Sequence, residues 1–152
     1  MSDSAAVDLK AGVDVVEDTY EFCLAYAARG VSMQMAVSSD TQVRERLERL
    51  AGILPQLPDR FLRLVEERGE KSRDDYQAFI EVLRRDAEAG LAAVRLVLAQ
   101  RGITSQMVDN LNGMIHLRAL LTDVFLVDEM LRPDAVHPPH TPPAETGQES
   151  AP

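Results

Sequence analysis

Four stretches of this chain place an apolar residue every three, then four, positions, and Gly or Pro separates each stretch from the next. An α-helix is the element that puts residues so spaced on one side. The pattern therefore predicts an all-α chain, built as a four-helix antiparallel bundle with short loops.

The first helix is expected over residues 5–29. Its seam is Ala6, Leu9, Val13, Val16, Tyr20, Cys23 and Ala27, and Gly30 stands where a left-handed cap ends a helix. Val15, Phe22 and Tyr26 form a second apolar line beside that seam. Residues 31–39 read as a connector containing Met33-Gln34-Met35, with Ser39 or Asp40 capping the next helix.

The second seam is Val43, Leu47, Leu50, Leu54, Leu57, Phe61 and Leu64. Its register runs through Pro55 and Pro58. A proline inside a straight helix costs ~3 kcal/mol or more, so the second helix is expected to kink or break there and to end at Arg68-Gly69. Ser72 and Asp75 have capping-box spacing for a third helix over residues 73–101. Its seam is Tyr76, Ile80, Leu83, Ala87, Gly90, Val94 and Val97. Ala87 and Gly90 thin its middle, which calls for close packing or for a ligand pocket roofed by Tyr20 or Tyr76. Gly102 is expected to cap it, with Ile103 supplying the apolar contact.

The fourth helix, over residues 105–131 after a Thr104 or Ser105 cap, is apolar around most of its circumference. Such a helix must be buried nearly all round, and three other helices in one layer do not achieve that. A homodimer through helices 1 and 4 is the expected remedy. Residues 1–132 form the helical domain. Residues 133–152 are Pro-rich and polar and are expected to be a disordered tail.

Length fits one domain. The absence of Trp makes the core aliphatic, and the lone Cys23 precludes an internal disulfide. No secretory signal or ~18-residue apolar run is evident, so a cytoplasmic protein is expected. The net charge of -9 is uneven: -4 over residues 1–30, zero over 40–101 and -5 over 102–152. An acidic flank beside helices 1 and 4 opposes nucleic acid and anionic membrane and favours a basic protein partner. It also serves solubility alone.

The residues offer little chemistry. His116 shares a helical stripe with Asp109, Asn112 and Asp123, as a phosphoaccepting histidine of a bundle would, but the following residues are Leu117-Arg118-Ala119 rather than a basic residue three positions on. A di-iron carboxylate site needs Glu-x-x-His on two helices, and Gly113 stands three before His116. Cys23 has apolar and acidic neighbours in sequence, which suits packing rather than nucleophilic work. Met33 and Met35 are weak soft-metal donors, and His137 and His140 lie in the tail. No metal, cofactor or catalytic set is expected.

The sequence thus points to a non-catalytic adaptor or regulatory protein with contacts at Val15, Phe22, Tyr26, Leu120 and Val127. A second reading is a small-molecule bundle with a pocket lined by Tyr20, Tyr76, Ala87 and Gly90. A third is phosphotransfer through His116.

Overall fold

The computed structural model describes residues 4–39, 41–69 and 71–131. They are mainly helical, with no strand among them: α1 (Ser4–Ala28), α2 (Met33–Ser39), α3 (Thr41–Ile53), α4 (Leu57–Arg68), α5 (Arg73–Leu98), α6 (Ser105–Gly113) and α7 (Ile115–Leu131). A single 3-10 turn, Leu54–Gln56, joins α3 to α4. The tail, its two histidines and the Asp40 cap lie outside the described residues.

The second seam is the spine of the core. Val43, Leu47, Leu50, Leu54, Leu57, Phe61 and Leu64 are all buried. Pro55 and Pro58 each occupy a first or second helical position, in the 3-10 turn and in α4 respectively. There a missing N–H removes no helical hydrogen bond. The backbone at Ile53, Gln56 and Leu57 remains in the right-handed helical region, which keeps both segments facing one core.

Named contacts set the direction of each neighbour. Leu54 lies against Gly90, Asp59 pairs with Arg84 at 3.0 Å, and Phe61 meets Tyr76 edge-on at 6.0 Å. Numbers rise on one side as they fall on the other, so α3–α4 and α5 run oppositely. Arg44 closes the far end by donating to the carbonyls of Leu98 and Gln100 at 2.7 and 3.0 Å. A cation at the carbonyl end of a helix also suits its dipole. Across α1, Gly12 lets Leu57 approach closely, and the Arg46 guanidinium covers the Phe22 ring at 4.9 Å.

Several local expectations are corrected. The buried face of α1 includes Gly12, Thr19 and Tyr26, which rotates the expected seam by part of a turn. Tyr26 belongs to the core because its hydroxyl donates to the Ile103 carbonyl at 2.6 Å. Residues 33–39 form a short helix rather than a plain connector. Ser72 makes no side-chain cap; its backbone geometry is not the extended one that a capping box needs. Thr104 does cap, accepting from the Met107 N–H at 3.1 Å.

The glycines divide by role. Gly30 and Gly69 have φ of 67° and 60° and end their helices left-handed. Gly102 does not. α5 stops at Leu98, and Gly102 is needed for close approach to α2: a β-carbon there would sit 3.2 Å from both Ala36 Cβ and Val37 Cγ2.

The largest departure lies in the expected fourth helix. Met114 adopts an extended conformation, φ -65° and ψ 133°, and divides the stretch into α6 and α7. Asn112-Gly113, a dipeptide that marks turns, precedes the break and was the signal for it in an otherwise apolar run.

Candidate protein-interaction face

The five contact residues expected from sequence do not form one surface. Leu120, Val127 and Tyr26 are buried within the single chain, and Val15 and Phe22 are half-buried. Phe22 stacks on Tyr26 at 6.2 Å beneath Arg46. Leu120 is held by the core because it packs against the open side of Gly90. Tyr26, Leu120 and Val127 therefore already have their neighbours within the single chain.

The expected pocket is corrected as well. Ala87 and Gly90 are buried, and a β-carbon on Gly90 would meet Leu120, Leu117 and Leu54 at 3.7–4.0 Å. Leucines already occupy the space beside the thin middle of α5. Tyr20 and Tyr76 are not brought together over it: Tyr76 packs on Phe61, whereas Tyr20 lines a small cavity with Cys23, Thr19 and Asn112.

His116 is exposed in the first turn of α7. The break at Met114 separates its helix from that of Asp109 and Asn112, so the expected stripe does not form. Asn112 is instead buried, and its Nδ2 and Oδ1 have no hydrogen-bond partner among the described residues. It borders the Tyr20–Cys23 cavity of about 10 Å³, about the space that holds one water. Burial pushes the Cys23 thiol up to about 11, so it is not a thiolate at neutral pH. Among the described residues no group of three or more His, Cys, Asp or Glu side chains is placed to hold a metal ion. No described helix is long and apolar enough to cross a membrane.

What the structure exposes is a second apolar line on each of α5 and α7. On α5 it runs Val82, Asp86, Ala89, Ala93, Leu96, with spacings of four, three, four and three. On α7 it runs Ile115, Ala119, Asp123, Leu126, Met130, again in steps of three and four. Leu96 and Ile115 are 66% and 81% exposed; Val82, Leu126 and Met130 are also exposed, and the alanines are half-buried. Gly90 lies by Leu117 and Leu120, Asp86 by Asp123, and Ala93 and Val97 share an apolar hollow of about 330 Å³ with Met107, Leu111 and Met114. The two helices therefore run oppositely, and their outward lines flank one another.

Asp86 and Asp123 interrupt these lines at the same level. Their neighbours three and four residues away are Val82, Leu83, Ala89 and Gly90 on α5, and Ala119, Leu120, Leu126 and Val127 on α7. None is a cation, so neither helix supplies a partner charge. Asp123 Oδ2 finds no donor among the described groups. Burial, then a hydrogen bond to Asp86 and the nearness of that second carboxyl, raise Asp123 to about 7. A second carboxyl this near opposes the ionisation of Asp123.

The apolar richness of residues 105–131 is plain in the sequence, but its division into two lines and the part played by Asp86 are not. The signal was present as an Asp within each 3-4 repeat. Comparison with protein-family models, with curated proteins and with solved structures finds no match.

Proposed function

We propose that this chain is a non-catalytic interaction module that receives a helix of another protein on the outward lines of α5 and α7. The observation that carries this reading is the doubled periodicity: one 3-4 line on each helix is in the core, and the large apolar members of a second, Val82, Leu96, Ile115, Leu126 and Met130, are exposed. A 3-4 line is the pattern that seats knobs of another helix. Monomers rarely leave large contiguous apolar strips uncovered without a binding role. In this reading α1, α3–α4, α5 and α6–α7 are the four rows of an antiparallel bundle. The proline segment within the second row is a bend that keeps the core continuous. The acidic bias of the chain supports a partner with basic character. Self-association on this face would bring like charges together, so another protein is favoured over a second copy.

The test is selective loss of a partner. Leu96→Glu and Leu126→Glu place charge on the strip without touching the core, and Leu24→Glu does the same on α1, where Leu24 is also exposed. A protein that co-purifies with the wild-type chain is expected to be lost from the first two variants and kept by the third. Retention by all three, with circular dichroism unchanged, would contradict the assigned face.

A further inference from the structure

Resting on that reading, we infer that the α5/α7 strip selects a helix whose apolar stripe carries one Arg or Lys, which seats between Asp86 and Asp123. The occupant follows from the charge on the strip. Apart from the two carboxyls, both 3-4 lines are apolar from Val82 to Leu96 and from Ile115 to Met130. A wholly apolar helix laid across them would cover the two acids and give them nothing. Covering a polar group without a partner is costly, and more so for a charge. A cation at that level completes the pair, with one donor for each carboxylate if it is Arg.

A single polar position in an apolar seam is also how helix pairs fix register and partner. The Val82–Leu96 segment is about 21 Å long at the α-helical rise, which corresponds to four turns of a docked helix. Burial and the neighbouring Asp86 hold Asp123 above the ordinary carboxyl range, and a cation seated beside it would draw it back down, which accords with this arrangement.

The probe is a pair of 16-residue helical peptides with Leu and Ala on one face, differing only in a central Arg or Gln. Both are titrated into the full chain and into the double variant Asp86→Asn/Asp123→Asn at pH 8. The wild-type chain is expected to bind the Arg peptide at least ten-fold more tightly than the Gln peptide. The double variant should bind both peptides alike. Equal binding of the two peptides by the wild-type chain would overturn the selection for a cation while leaving the docking face intact. Failure to bind either peptide, with the chain dimeric by sedimentation and the dimer broken by Leu126→Glu, would overturn it in favour of a second copy. Failure to bind either peptide by a monomeric chain would overturn the docking face itself.

Discussion

Gly90 lies beneath Leu117, Leu120 and Leu54 at distances where a methyl group makes ordinary contact. Gly90→Ala is expected to stabilise the chain by about 0.5–1 kcal/mol, because Ala removes the helical penalty of glycine and limits the unfolded chain. Gly90→Leu has no such room and should cost about 1–3 kcal/mol through overpacking. Urea denaturation measures both; stabilisation by Leu would reveal a cavity that the packing denies. Asp123 gives the second prediction at this scale. Its value rises from 3.8 to about 7 on folding, so between those limits the folded chain keeps a proton that the unfolded chain has released. Stability therefore falls as pH rises through that window. Asp123→Asn removes the effect and offers Asp86 a donor. The variant is expected to gain about 3 °C in Tm at pH 8, for about 1 kcal/mol after allowing for solvent screening, with the gain gone near pH 4. A gain equal at both pH values would contradict the raised Asp123 carboxyl.

Individual elements were legible to the degree that one periodic signal acted alone. The seam from Val43 to Leu64 could be read residue by residue, since its register persists and every member is buried. Gly30 and the Thr104 cap were equally plain, because each answers a purely local need of a helix end. The stretch after Thr104 was not, because its many apolar residues concealed the turn at Asn112-Gly113 and the division between core and outward lines. Tyr26 is in the core for a tertiary reason: its hydroxyl reaches a carbonyl 77 positions away, which no periodicity reveals. Gly102 stands where a cap is expected, but its role is the close approach of α2, another contact between distant segments. The candidate face was thus half legible. Surplus apolar surface on the last helix was visible in the sequence, but its location beside α5, and the meeting of Asp86 with Asp123, required the packing.

The whole molecule combines an acidic chain with an apolar strip that has two carboxyls at its centre. Other exposed apolar residues exist, including Val7, Leu24 and the methionines of α2, so the position of binding is the decisive question. The most direct measurement is an amide chemical-shift map of the isotope-labelled full chain, titrated with the Arg-centred helical peptide. Docking on the strip should shift residues grouped over 82–96 and 115–130, with Val7, Leu24 and α2 unmoved. Shifts centred on α1 or α2, or none at saturating peptide, would contradict it.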